Sequence, residues 1–173
     1  MPKSLPLNKK LISKEDLIEQ VMRWQGRGER VVFTNGCFDI LHPGHVAYLN
    51  EAKELGDRLV LALNTDRSVK KLNKGPERPL NDELSRAYVL AGLEAIDALC
   101  LFDEDTPIDL ICALKPDVLV KGGDYNPQEA NPQSKAYIVG STEVRNWGGQ
   151  VLCLDFVEGY STTRLVEKIK RFG

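Results

Sequence analysis

Short apolar runs divide this chain at regular intervals. They are Val31-Val32-Phe33, Arg58 to Leu63, Ala98 to Phe102, Val118 to Val120 and Gln150 to Leu154. Each has the length and near-continuous apolar character of a strand buried on both faces. Between them, apolar residues recur at helical spacing over 46–55, 106–114, 137–147 and 162–172. Two further helices are predicted from their caps. Asn64-Thr65-Asp66 caps one that carries Lys70 and Lys71, and Asn81 or Asp82 starts one in which Arg86 sits among Tyr88, Val89, Leu90 and Leu93. Ser13 with Asp16 makes a start resembling a capping box for a helix through about Trp24, ended by Gly26-Arg27-Gly28. Residues 1–12 read as a loose arm. The Gly-, Asn-, Pro- and Gln-rich stretch 121–135 is a loop too long for a mere connector. No internal repeat is present. Strands alternating with helices, joined by right-handed βαβ crossovers, predict an α/β Rossmann-like single domain: a five-stranded parallel sheet with helices on both faces. The expected division is an N-terminal arm and helix at 1–28 and the main domain at 29–173.

The distinctive polar segments all follow predicted strands. TNGCFD follows the first, NTD the second, FDED the third, KGGD the fourth and EGYSTT the fifth. In a doubly wound sheet those carboxyl ends open onto one crevice, where ligand binds. The first segment runs on to His42-Pro43-Gly44-His45 and contains both histidines of the chain. Pro43 suits the first position of a helix, where its missing N–H is no loss. Two imidazoles are therefore placed beside unpaired backbone N–H groups at the positive end of a helix dipole, an arrangement that favours phosphate. Three other readings compete: capping or partly buried histidines, a zinc site, and a Cys37–His nucleophilic pair. Zinc would want three or four ligands where only Asp39 or Cys37 stands near, and nothing supplies a third group to orient a base for Cys37.

Composition narrows the class. A chain of 173 residues with Lys+Arg 23 against Asp+Glu 25 carries a net charge of −2, which gives no signal for a polyanionic partner such as nucleic acid. No apolar stretch approaches the ~20 residues of a membrane span, and the first ten residues lack the apolar core of a signal peptide. Cys37, Cys100, Cys112 and Cys153 are scattered without a CxxC pair. Lying in strand-like or helix-like runs, Cys100, Cys112 and Cys153 read as small core residues in a reducing cytoplasm.

The run TNGCFD…HPGH resembles the signature of the cytidylyltransferase-like nucleotidyltransferase superfamily. With NTDRSVKKL, RPLND…R, FDEDTP, KPDVLVKGGDY and EGYSTTR following in order, residues 30–170 are similar to the heptose-1-phosphate adenylyltransferase family. In many bacteria that domain follows a ribokinase-like kinase. The kinase is absent from this sequence, so the likeness is to the stand-alone form. The resemblance implies a nucleotidyltransferase domain at 29–173 that moves AMP from ATP to a heptose 1-phosphate. Mg²⁺ would bridge the phosphates with few protein ligands, Asp39 being the nearest carboxylate unless it only braces the turn. Homo-oligomerisation, as a dimer or larger, is expected with it.

Such a transfer needs no covalent enzyme intermediate, only two anions positioned and their charge neutralised. His42 and His45 suit donors to the triphosphate. Lys74, with Lys71 as neighbour, offers a mobile cation, and Arg86 a further one unless it snorkels to solvent. With the resemblance, Thr34, Asn35, Gly36, Cys37, Phe38, Asp39 and Gly44 are assigned to the nucleotide, as are Glu158, Gly159, Ser161, Thr162 and Thr163. The Ser161–Thr163 hydroxyls could equally be an ordinary N-cap. Phe156 stands where cytidylyl relatives tend to carry Arg, and an aromatic suits adenine better than a cation does. The acceptor is assigned Asn64, Asp66 and Lys71 together with KGGD. In that loop Lys121 would meet the sugar phosphate, Gly122 and Gly123 allow close approach, and Asp124 would meet hydroxyls, against the alternative of a plain tight turn. A CTP-dependent enzyme acting on glycerol 3-phosphate and a nucleotide-sensing module without turnover are the rival readings.

Overall fold

Apolar side chains on alternate strand positions point to opposite faces, and both sets find partners in this chain. The structure, a computed structural model, describes residues 7–72, 75, 77–155, 157 and 159–172. The strands are β1 (Val31–Gly36), β2 (Arg58–Asn64), β3 (Ala98–Phe102), β4 (Val118–Gly122) and β5 (Gln150–Leu154). All pairings are parallel, in the order β3-β2-β1-β4-β5. The helices are α1 (Leu7–Lys10), α2 (Lys14–Gln25), α3 (Pro43–Lys53), α4 (Asp66–Lys71), α5 (Glu83–Ala91), α6 (Ile108–Leu114), α7 (Ser141–Asn146) and α8 (Thr162–Phe172).

Two apolar layers sandwich the sheet. Val31 and Phe33 join Leu17, Val21 and Trp24 of α2, Leu110, Ile111 and Leu114 of α6, and Val144 of α7. Val32 faces the other way, with Leu59, Leu61 and Leu63 of β2, onto Tyr48, Leu49 and Ala52 of α3 and Ala87, Leu90 and Ala91 of α5. Helices thus cover both faces, as the strand pattern predicts. Phe33 is fully buried, and truncating it to Ala would cost roughly 3–5 kcal/mol through lost transfer energy and the cavity left behind.

Three local expectations are corrected. Within the predicted loose arm, residues 7–12 are ordered: α1 leads to Leu11, which bridges Leu99 of β3, and Ile12 donates its N–H to the Leu99 carbonyl at 3.0 Å. Residues 1–6 lie outside the described residues. The helix expected over 137–147 is shortened to Ser141–Asn146, because Ile138 drops into the core and Gly140 turns with φ +86°. A Cβ at Gly140 would meet Ile111 Cδ1 at 2.8 Å, so the close approach needs glycine. Cys112 is exposed, and so is no core residue; Cys100 is buried and Cys153 half-buried.

Candidate active site

The chain order reverses between β1 and β4, and there the two strands part. Their ladder covers Val32–Val118 and Phe33–Leu119 only. Beyond it the α3 side chain Tyr48 reaches in. Its buried hydroxyl lies 2.6 Å from the Thr34 hydroxyl and donates to the Val120 carbonyl at 3.2 Å, and burial raises its pKa far above the ordinary value of 10. Higher in the gap, the Lys121 ammonium donates to Asn35 Oδ1 at 2.9 Å and to the Asn35 carbonyl at 3.2 Å. Above it opens a cleft of about 810 Å³, large enough for a nucleotide-sized ligand.

One wall is the start of α3. His42 is its N-cap, with extended backbone (φ −143°, ψ 166°), and Pro43 follows at the first turn. The His42 and His45 rings stack with centroids 3.8 Å apart and planes 20° from parallel, and Phe38 packs on His45 at 5.1 Å. Gly44 makes this possible, since a Cβ there would sit 3.1 Å from His42 Nδ1 and 3.2 Å from the Tyr160 Cβ. His42 Nδ1 is buried without a hydrogen-bond partner, and desolvation lowers the His42 pKa below 6.5. The helix N-terminus beside the ring, with its unpaired backbone N–H groups, is suited to receive an anion.

Below the histidines a polar lattice fixes the turn. Asp39 is 3% exposed, and its carboxylate accepts from Arg78 and from the N–H groups of Leu80 (2.8 Å) and Asn81 (2.9 Å). Asn81 Nδ2 returns a bond to the Asp39 carbonyl at 2.6 Å. The Arg86 side chain is fully buried. It donates to the carbonyls of Asn81 (3.0 Å), Cys37 (2.6 Å) and Asn64 (2.8 Å) and to Asp66 Oδ1 (2.8 Å). This differs from the expected phosphate donor: Arg86 does not line the cleft, and its guanidinium ties together three chain segments beneath it.

Of the other expected residues, Asn35, Gly36, Cys37, Phe38, Asp39, Gly44, Asn64, Lys121, Gly122, Ser161, Thr162 and Thr163 line the cleft beside the histidines. Thr34, Asp66, Lys71, Gly123, Asp124 and Gly159 do not. Thr34 is held by Tyr48, Asp66 by Arg86, and Lys71 by Asp105 at 2.6 Å. Gly123 binds the Leu154 carbonyl, and Asp124 and Gly159 are exposed. Ser161 Oγ accepts the Arg164 N–H at 3.1 Å and so caps α8. Lys74, Phe156 and Glu158 lie outside the described residues. Lining residues not foreseen include Tyr48, Arg78, Tyr125, Lys135, Tyr137 and Tyr160. Tyr125 rests under the Lys121 ammonium at 5.4 Å, and Tyr160 is nearly parallel to His42 at 6.2 Å. Tyr125 and Tyr160 stand in the KGGDY and EGYSTT segments, while no motif marks Tyr48 or Tyr137. The signal for Arg78 is its place at the start of RPLND.

The described residues do not fit a resident metal cage. Among them no group of three or more His, Cys, Asp or Glu side chains could hold an ion, and the Asp39 oxygens are taken up by Arg78, Leu80 and Asn81.

The family model described as cytidylyltransferase-like matches residues 33–168. The chain belongs to the cytidylyltransferase-like family. Within the family it is 53% identical to the bifunctional protein HldE of Methylobacillus flagellatus over 160 residues, 92% of this chain and 31% of that protein. It is 57% identical to the bifunctional protein HldE of Vibrio cholerae, over 92% of this chain and 32% of that protein. The chain therefore spans about a third of the length of these relatives. A crystal structure of the lipopolysaccharide core biosynthesis protein from Thermoplasma volcanium superposes with a TM-score of 0.57 at 28% identity. The match covers 78% of this chain and all of that one. His42, Gly44 and His45 of the HPGH stretch line the cleft that opens where β1 and β4 part.

Proposed function

We propose that this chain transfers AMP from ATP to a heptose 1-phosphate, giving ADP-heptose and pyrophosphate for lipopolysaccharide or another surface polysaccharide. The observation that carries the reading is the identity of 53–57% to two HldE proteins across 92% of the chain. The geometry is consistent with it. One cleft gathers two histidines at a helix N-terminus, the start of α8 and Lys121 at the strand reversal.

In the proposed reaction an oxygen of the acceptor phosphate attacks the α-phosphorus of ATP in line. The bond from that phosphorus to the bridging oxygen of the β-phosphate breaks, and its electron pair leaves on pyrophosphate. The protein acts by position and charge. His42 and His45 donate to triphosphate oxygens from the α3 terminus, and the α8 terminus with Thr162 and Thr163 meets phosphate or ribose. Asp39 and Arg86 act as positioning residues through the turn they brace. Mg²⁺ would enter on the triphosphate, held mainly by phosphate oxygens. No described helix is long and apolar enough to cross a membrane, and an ATP-dependent step of this kind belongs in the cytoplasm.

The test is pyrophosphate release from the purified chain with ATP and CTP, each against heptose 1-phosphates, other sugar phosphates and glycerol 3-phosphate. Turnover with ATP and a heptose 1-phosphate is expected. Equal or better turnover with CTP and glycerol 3-phosphate would overturn the assignment, and silence across all pairs would favour a nucleotide-sensing module.

A further inference from the structure

The cleft has two ends, set on opposite faces of the sheet. The histidine end belongs to α3, whose Tyr48, Leu49 and Ala52 pack into one apolar layer. The other end lies against α6, whose Leu110, Ile111 and Leu114 pack into the opposite layer with Ile138. At that end the loop after β4 returns to the crevice and contributes Lys135, Tyr137 and Val139 to its lining, beside Asp105 and Thr106.

This loop is tied down by its own side chains. Asn126 donates its N–H to the Ala136 carbonyl at 2.9 Å. Asn126 Oδ1 and Asn131 Oδ1 accept from Gln128 and Gln133 at 2.9 and 3.0 Å. A turn joins the Tyr137 N–H to the Ser134 carbonyl at 3.1 Å, with Lys135 inside it. Fully buried Ile138 and the tight Gly140–Ile111 contact anchor the far side. Lys135 thus lines the cleft from a backbone fixed on both flanks.

Its charge is uncommitted. Among the described residues, the other cations beside the cleft are engaged. Lys121 bonds Asn35, Arg78 pairs with Asp39, Lys71 pairs with Asp105, and Arg86 is buried on carbonyls and Asp66. Lys135 is exposed and makes no hydrogen bond or ion pair with any described residue. An exposed lysine carries a solvated charge by default; one lining a cleft that, on the proposed function, holds two phosphorylated molecules has an anion within reach.

We infer that Lys135 is the cation for the acceptor's sugar phosphate, and that the loop carrying it is the acceptor wall of the cleft, with Thr106 and Tyr137 as hydroxyl partners for the sugar. This rests on the nucleotidyl-transfer reading above. The triphosphate is drawn to the α3 terminus on the other face. A second phosphate that must approach the α-phosphorus from the opposite side therefore lies toward α6 and Lys135. Lys121 stands between the two at the strand reversal.

The experiment measures KM for heptose 1-phosphate and for ATP separately, by pyrophosphate release, in wild type, Lys135→Gln and Lys135→Arg. A charge-assisted hydrogen bond is worth about 1.5–3 kcal/mol, tenfold or more in affinity. Lys135→Gln is expected to raise the acceptor KM at least about tenfold, with the ATP KM within about twofold of wild type, and Lys135→Arg is expected to restore most of the loss. Thermal melting should be unchanged, since the side chain is exposed. An unchanged acceptor KM in Lys135→Gln overturns the inference, and an equal rise in the ATP KM reassigns Lys135 to the triphosphate. If wild type prefers another phosphorylated acceptor, the functional reading fails on its own, and the same variants test Lys135 with that acceptor. A wild type silent with every acceptor removes both.

Discussion

The residue scale is where the proposed chemistry is most exposed to test. Removing one preorganised donor to a developing charge typically costs ~10²–10³ in kcat, so His42→Ala and His45→Ala should each lose about that much turnover while remaining folded. Near-wild-type kcat in either folded variant would remove that histidine from the phosphate-donor role. The pH behaviour of His42 adds an independent check. Desolvation holds its pKa below 6.5 in the free protein, so its NMR titration midpoint should lie below that of an unfolded control. The unfolded chain then binds more protons than the folded one just below pH 6.5, so this residue's contribution to stability is present above 6.5 and lost as pH falls through the folded pKa. Bound triphosphate favours the imidazolium, so the midpoint should rise on binding and affinity should increase as pH falls through the same window. A midpoint at or above 6.5 in the free protein contradicts the burial argument. Gly44 gives a steric counterpart. The Cβ of Gly44→Ala would press on His42 and Tyr160 at 3.1–3.2 Å, so the variant should fold yet show lower kcat as the stacked pair shifts. Wild-type turnover in Gly44→Ala would mean that the pair tolerates displacement.

Among the elements, strand starts were legible in the sequence, because a parallel strand buried on both faces is a continuous apolar run. But β1 runs on through Thr34, Asn35 and Gly36 and β4 through Lys121 and Gly122, where pairing with β2 and β5 outlasts the apolar run. Caps were legible too: Ser13, Thr65 and Asp82 accept from the backbone N–H groups of Asp16, Ser68 and Ser85 at 2.8–3.1 Å. Elements shaped by tertiary contact were not. Ile138 reads as part of a helical period until the core claims it, and Leu11 reads as arm until the edge of β3 offers it a carbonyl and an N–H. Arg86 was ambiguous for a similar reason: a charge on an apolar helix signals burial or function, sequence alone does not say which, and the structure buries it. Its position now makes a prediction. Arg86→Ala would strip three buried or half-buried carbonyls and Asp66 of their donor, and each buried acceptor left unpaired costs roughly 1–3 kcal/mol. Denaturant unfolding should register a loss of that order, with activity falling because the turn loosens. An Arg86→Ala protein as stable as wild type but without turnover would return Arg86 to direct contact with substrate.

Across the whole molecule, the site was legible as a set of strand ends but not as a cleft with two ends, because no sequence pattern says which helix covers which face. That arrangement determines what a nucleotide can do to stability. Binding to the folded chain alone stabilises it by RT ln(1 + [L]/Kd), about 2.7 kcal/mol at a hundredfold excess over Kd. A chain of this size shifts its Tm by roughly 2–4 °C per kcal/mol, so saturating α,β-methylene ATP, in which carbon replaces the oxygen that must leave, should raise Tm by about 5–10 °C without turnover. The histidines line the cleft and neither belongs to the two apolar layers. His42→Ala and His45→Ala should therefore melt close to wild type when unliganded and lose most of the shift at the same analogue concentration. Lys135→Gln, at the far end of the cleft, should retain the shift in full. Differential scanning fluorimetry on these proteins separates the two ends in one measurement. A full shift in both histidine variants would move the triphosphate away from the α3 terminus, and a shift lost only in Lys135→Gln would exchange the two ends.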